Sequence, residues 1–354
     1  MTKSLKEKYN EINSSYTKVL IFHLGIDAGF FSEINYMIDM ILYCLENKIQ
    51  FRLYSKDANF GYKNGWTDYF LPFCKEVDCN IHHKFNRHPH SLSLKEILTR
   101  KSPTKEKTAL IKWIIKTNIF ICIAHFLRIV KIKNRFDYYT HDLLGEIKEK
   151  NKIYNIPELG INGNYASAYN VIFDLIWDFN EEVITNKNDL IKSLELPIEY
   201  LSSQIRGGDK IIEYNLLGSS LFIDYIRKNT QTKEVFVLTD DYRIIEKLRK
   251  DAPEYTWITL CEKEEKGYFN SSFSKTQPDL KKKKMIRFLT SMDILFNSKT
   301  FIGTITATPS IVSFLKRYPD TNIIDYDKSL FLESMDLSIS QKKEISESFL
   351  RNLN

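Results

Sequence analysis

Two stretches of this chain alternate short apolar runs with amphipathic ones, and that alternation leaves few folds open. In the first, KVLIFHLG (18–25) reads as a buried strand ending in glycine. GFFSEINYMIDMILYCLENK (29–48) reads as a helix, with Ser32 or a neighbour as its cap, and IQFRLYS (49–55) as the next strand. Apolar residues at 34, 37, 38, 41, 42 and 45 give the i, i+3, i+4 spacing of one helical face. Strand–helix–strand is the grammar of a parallel sheet.

The second stretch repeats that grammar more regularly. Strands are predicted over EYLSSQIR (199–206), EVFVLTDD (234–241), YTWITL (255–260) and TFIGT (300–304). Helices are predicted over LLGSSLFIDYIRKN (216–229), YRIIEKLRKDAP (242–253), KKKKMIRFLTSMDILFNSK (281–299) and ATPSIVSFLKRY (307–318). YNVIFDLIWDFNEEVITNKNDLIKSL (169–194) reads as a single amphipathic helix before them. The expected fold class is α/β. With 354 residues there is room for two domains. The boundary is placed near 185–195, giving an N-terminal α/β domain over 1–190 and a Rossmann-like domain over 191–354.

Residues 82–145 break the alternation. A His-rich stretch (His82, His83, His88, His90) precedes a basic, helical run, ALIKWIIKTNIFICIAHFLRIVKIKNRF (109–136). The histidines lack the i, i+4 spacing of a helical zinc site, and a surface loop is expected. Lys112 and Lys116 interrupt the apolar run, which argues against a membrane span. The cationic 100–135 segment suits either a packed helix with snorkelling lysines or a peripheral contact with an anionic membrane.

Five cysteines without regular spacing argue against a disulfide framework and suggest reduced thiols in a cytoplasmic protein. The polar start, MTKSLKEKYNEINSSYTK, lacks a signal-peptide apolar core. The net charge of +6 is modest for this length, and no nucleic-acid motif is present, so no nucleic-acid partner is expected.

Three predicted strand ends carry the polar residues. SSQIRGGDKIIEYN (202–215) places Arg206, Asp209, Lys210 and Glu213 around Gly207 and Gly208. Thr239, Asp240 and Asp241 end the next strand, and Gly303, Thr304 and Thr306 follow a later one. Ligands of open α/β sheets bind beyond the carboxyl ends of the strands, so these three loops are candidates for one crevice. Thr239–Asp241 also fits a plain helix N-cap.

The ordered elements resemble the fucosyltransferases that share an H-x-R-x-x-D loop, most closely the α-1,6-fucosyltransferases. QIRGGDK (204–210) is similar to the family's H-V-R-R-T-D-K, and TDD (239–241) and MDILFNSKTFIGTITATPS (292–310) are similar to later family elements. In the first half, AGFFSEINYMI and KNGWTDYFLP resemble two further ones. The resemblance covers most of the chain apart from 82–145. It implies a GT-B glycosyltransferase, two Rossmann-like α/β domains facing across a cleft. The first half would be the acceptor side and the second would bind the nucleotide sugar. It also implies inverting transfer of fucose from GDP-fucose to a glycan hydroxyl, with no cofactor and no metal.

Under that resemblance Arg206 would bind the diphosphate and stabilise the leaving group, since a guanidinium can grip phosphate oxygens in a bidentate fork. Glu213 would be the general base and Lys210 would hold that acid or the acceptor oxygen. Asp293 would accept from the guanine edge. Gln204, Asp240, Thr304 and Thr306 would complete the donor site, while Gly207, Gly208, Asp209 and Asp241 would support the loop. Asp240 and Asp241 are the next candidates for the base.

The chain departs from the family at three places. Gln204 replaces the family histidine and Gly207 replaces a second arginine, while Glu213 follows the Asp-Lys pair one residue early. These departures keep two alternatives open: a GT-B transferase using another nucleotide sugar, and a non-catalytic glycan- or nucleotide-binding protein of the same fold.

Overall fold

The computed structural model describes residues 3–25, 28–79, 82, 108, 112, 136–207, 219–268 and 270–353. Helix α1 (Leu5–Ser15) is closed by a capping box, in which Glu7 N–H donates to Ser4 Oγ and Ser4 N–H to the Glu7 carboxylate. The sequence reading gave this polar stretch no element. It docks through Tyr9, buried against Phe73, and through Asn13. Asn13 accepts the Phe51 N–H at 2.7 Å and donates to the Phe51 carbonyl at 2.9 Å, so its side-chain amide pairs with an edge strand as a neighbouring strand would.

That strand, β2 (Ile49–Tyr54), lies parallel to β1 (Lys18–His23), which in turn pairs with β3 (Tyr138–Tyr139). Helix α2 (Phe30–Glu46) makes the crossover and buries Ile34, Met37, Ile38, Ile41 and Leu45 as its periodicity predicts. Gly29 is the N-cap and Ser32 lies inside the helix, so the expected serine cap is corrected. Within KNGWTDYFLP, Asp68 accepts the backbone N–H groups of Tyr62, Lys63, Asn64 and Gly65. Gly65 has φ +78°, and a Cβ there would stand 1.9 Å from the Ser55 carbonyl, so no other residue fits this turn.

A short hairpin, β4 (Tyr154–Ile156) and β5 (Ile161–Gly163), precedes helices α3 (Tyr165–Ile176) and α4 (Glu181–Ser193). The single helix expected over 169–194 is therefore two. Asn180 accepts the Val183 N–H and starts α4, while Phe179 pairs with Phe70 and breaks the helical path.

The second sheet is wholly parallel, in the order β10 (Asn322–Ile323), β9 (Thr300–Gly303), β6 (Leu201–Gln204), β7 (Glu234–Leu238), β8 (Thr256–Ile258). Its crossovers are α5 (Ser219–Asn229), α6 (Tyr242–Asp251), α7 (Pro278–Asn297) and α8 (Thr308–Arg317), and α9 (Ile339–Leu353) closes the chain. The α/β class and the parallel sheets are as expected. One large apolar cluster runs from Phe22 and Phe31 through Trp66 and Phe173 to Leu289 and Phe314, so residues from both sheets' surroundings share a core. Among the described residues no helix is long and apolar enough to cross a membrane. The basic helix expected within 109–136 lies outside the described residues, except for Lys112 and Phe136.

Candidate functional site at the carboxyl edge of the second sheet

The chain enters this sheet at β6 and builds outward through β7 and β8. It then crosses back over β6 to lay down β9 and β10 on the other side. The direction of winding reverses between β6 and β9. Adjacent loops leave the sheet in opposite directions at such a point, and a crevice opens at the carboxyl ends. Arg206 follows β6 by two residues, and Thr304–Thr306 follow β9 directly, so the chain sets both groups at the carboxyl edge of the two strands that flank the switch point.

The floor is fixed by buried polar contacts. Gln204, the last residue of β6, accepts a hydrogen bond of 2.6 Å from the Ser310 hydroxyl in the first turn of α8. Gly303 lets the chain enter that turn, since a Cβ there would meet Ser310 Oγ at 2.6 Å. Ile305 N–H donates to Asp325 Oδ1 at 2.8 Å, which fixes the backbone midway between Thr304 and Thr306. Thr304 is buried and Thr306 half-buried, with their hydroxyl oxygens 3.5 Å apart.

The Thr239–Asp241 element holds the Arg206 turn from the other side. Asp240 Oδ1 accepts the Gly207 N–H at 2.7 Å, and Oδ2 accepts the Tyr268 N–H at 3.0 Å. Both oxygens thus brace backbone, one on the Arg206 turn and one on the segment at Tyr268. Asp241 is the N-cap of α6 and accepts from the Arg243 N–H and guanidinium. That hydrogen-bonded arginine holds its carboxyl below the ordinary carboxylate range, which suits a cap and not a base. Gly207 is a contact residue as well, because a Cβ there would stand 2.7 Å from Asp241 Cβ. The absent second arginine thereby has a steric reason.

Asp293 is not at this edge. Helix α7 runs back toward the start of β9, and Asp293 sits near its carboxyl end. The Tyr200 hydroxyl, just before β6, donates to the neighbouring Ile294 carbonyl. Tyr200 and Arg206 are separated by six residues of largely extended chain, roughly 20 Å. The Asp293 carboxylate takes the Trp177 indole N–H at 2.8 Å and the Lys187 ammonium at 2.5 Å. Both Asp293 oxygens are thus engaged by side chains of the first half, Trp177 on Oδ1 and Lys187 on Oδ2. The partners are Trp177 at the end of α3 and Lys187 within α4, which periodicity could not foresee because 169–194 reads as one continuous helix. Gly208, Asp209, Lys210 and Glu213 lie outside the described residues.

Two groupings escaped the sequence reading. Asp325 is one, because nothing in NIIDYD marks its aspartate as buried. The other lies at the carboxyl end of β1, where His23 Nε2 is 2.8 Å from Asp57 Oδ2. The terminal histidine of KVLIFH was the available signal for it. His82, expected in a surface loop, is instead buried against Tyr139, and burial, followed by the nearby His23, lowers its pKa to about 4. His83, His88 and His90 lie outside the described residues. Among the described residues no cluster of three metal-ligating side chains occurs. Cys44, Cys74, Cys79 and Cys261 are free thiols.

Fold and site together define an α/β protein with a doubly wound parallel sheet whose switch point carries an arginine and a helix amino terminus. No protein-family model matches the chain, and comparison with curated proteins finds no relative. Solved structures similar to it include fucosyltransferase NodZ from Bradyrhizobium, at 10% identity and TM-score 0.46, covering 84% of this chain and 91% of that one. A mutant of Arabidopsis thaliana FUT1 in complex with GDP is similar at 10% identity and TM-score 0.45, covering 88% of this chain and 73% of that one. POFUT1 in complex with GDP is similar at 12% identity and TM-score 0.43, covering 89% of this chain and 98% of that one.

Proposed function

We propose that this chain is an inverting GT-B glycosyltransferase that moves fucose from GDP-fucose to a glycan hydroxyl. The carrying observation is that Arg206 and the Thr304–Thr306 turn flank the switch point of the second sheet, in the order that the family resemblance implies. The amino end of α8 follows that turn, and the positive end of its helix dipole favours an anion.

In this reading residues 191–354 hold the donor and 1–190 face the acceptor. The acceptor oxygen attacks the anomeric carbon as the bond from that carbon to the diphosphate oxygen breaks. The electron pair leaves with GDP, and the acceptor proton passes to a base. Arg206 opposes the charge that grows on the leaving diphosphate, a task that a metal performs in other transferases. Glu213 is the base and Lys210 its partner, assigned from their places in the motif. The guanine preference rests on the resemblance and on no contact of Asp293. The basic 100–135 segment would meet a membrane-borne or otherwise anionic acceptor from the cytoplasmic side.

A donor panel tests the reading: nucleotide release from GDP-, UDP- and CMP-sugars with mixed glycan acceptors, with and without EDTA. We expect release from GDP-fucose that survives EDTA and is abolished in Arg206→Ala, with little rescue by Arg206→Lys because an ammonium lacks the guanidinium fork. A preference for a UDP-sugar would overturn the donor assignment. Tight GDP binding without release from any donor would favour the non-catalytic alternative.

A further inference from the structure

We propose that Asp325 is a positioning residue for the nucleotide sugar, and that the carboxyl-terminal helix α9 belongs to the donor site through its Ser346. This rests on the glycosyltransferase reading above. Asp325 follows β10, the outermost strand on its side, and is fully buried. Its two oxygens have separate tasks. Oδ1 accepts the Ile305 N–H at 2.8 Å, and Oδ2 accepts the Ser346 hydroxyl at 2.8 Å.

Ile305 is the midpoint of the turn that presents Thr304 and Thr306 and leads into α8. Fixing its amide fixes the direction of both flanking side chains and the level at which α8 begins. The flanks of the turn are fastened by the Ser310–Gln204 bond, by the close packing of Gly303 on Ser310 and by the Gly303 carbonyl, which accepts the Ile324 N–H at 3.1 Å. The Asp325 bond acts between those flanks, on the backbone amide of Ile305. Burying a carboxylate without an opposite charge is unfavourable, and two neutral donors offset that only in part. Burial, against the opposing Ile305 and Ser346 hydrogen bonds, raises the Asp325 pKa to about 6. An apolar side chain could not accept the Ile305 N–H. The carboxylate shapes the turn through that bond.

Helix α9 is held at more than one point. Its Lys342 is also buried, with Lys150, Asp39 and Asp336 as its charged neighbours. Asp39 lies on α2 and pairs with Lys150 at 2.6 Å, and Asp336 accepts the Lys150 N–H. The helix thus connects the acceptor-side half with the turn after β9.

The test compares Asp325→Ala, Asp325→Asn and Ser346→Ala in the full chain, measuring GDP affinity by calorimetry and KM and kcat for GDP-fucose. Losing one buried hydrogen bond to the backbone should raise KM and the GDP Kd about 5- to 100-fold in Asp325→Ala, with kcat within about 3-fold. Asp325→Asn should recover most of the affinity, because its amide oxygen still accepts from Ile305. Ser346→Ala should weaken GDP about 2- to 5-fold in the parent, and should add nothing to Asp325→Ala.

GDP affinity equal to the parent in a folded Asp325→Ala overturns the inference. If Asp325→Ala does not fold, unchanged affinity in Ser346→Ala overturns it. Asp325→Asn as impaired as Asp325→Ala also overturns it, since the loss would then follow charge or packing and not the Ile305 contact. A parent protein that binds no GDP overturns the glycosyltransferase reading, and this inference with it. Parental binding that these variants leave untouched removes only the role of Asp325.

Discussion

Gln204 Oε1 accepts a buried 2.6 Å hydrogen bond from Ser310 Oγ, and this bond ties the end of β6 to the first turn of α8 across the switch point. Gln204 stands where the resembling family has histidine. The neutral amide here fastens two elements of the site together. Removing either partner leaves a buried polar group without its mate. Gln204→Ala and Ser310→Ala should each destabilise the fold by about 1–3 kcal/mol. The double variant should cost less than the sum, because both delete the same bond. Urea denaturation of the four proteins measures the coupling, and full additivity would contradict it.

Gly207 is excluded from larger residues by Asp241. A Cβ at 2.7 Å from Asp241 Cβ cannot be relieved by a side-chain rotation, since the opposing atom is itself attached to the backbone of a helix cap. Gly207→Ala should destabilise by about 1–3 kcal/mol, the cost of overpacking. Gly207→Arg, which restores the family residue, should lower activity and not raise it. Thermal unfolding and donor turnover of the two variants check this, and a gain of activity in Gly207→Arg would refute the steric account.

Asp293 has a structural partnership, so its removal should be felt in stability. Asp293→Ala strands the Lys187 ammonium on α4 and the Trp177 indole N–H at the end of α3. We expect a loss of about 1–3 kcal/mol with the GDP and UDP affinities and their ratio unchanged. Calorimetry with both nucleotides distinguishes the outcomes. A selective loss of GDP affinity would support the guanine-reading role.

The buried Asp325 sets a pH dependence of unusual sign. Its carboxyl pKa is 3.8 in an exposed chain and about 6 in the fold, so the folded state binds the proton more tightly. Between those values the native state holds more protons than the unfolded one, and stability falls as pH rises. The contribution is greatest below about pH 4 and is lost by about pH 6. A displacement of about two pH units at 1.36 kcal/mol each is on the order of 3 kcal/mol. Asp325→Asn, which cannot ionise, should remove this slope. Denaturant unfolding between pH 4.5 and 7 for both proteins checks it, and equal slopes would show that other groups govern the range.

The sequence by itself determined the class of fold and the adjacency of the polar strand ends after β6 and β9. The spacing of Ile34, Met37, Ile38 and Ile41 can be satisfied only by one face of a helix, and the apolar runs around it only by buried strands. Parallel strands put all their outgoing loops at one edge, so Arg206 and Thr304 were legible as neighbours before any contact was known. Asp241 before an amphipathic run was legible as a cap. These features depend on residues close in sequence.

Only the tertiary structure decided which polar side chains face that edge. Asp293 is 106 residues from Lys187 and 116 from Trp177, and helical periodicity states a face without naming what packs on it. The break at 177–180 escaped notice because Trp177 and Phe179 are apolar and prolong the pattern, while their position is set by packing on Phe70 and its neighbours. Asp325 and Ser346 lie 21 residues apart, with no local pattern that joins them. Both are buried where α9 meets the segment after β10. The choice among such long-range partners is made when distant apolar faces close on one another, because burial then permits a polar group only where a partner has arrived.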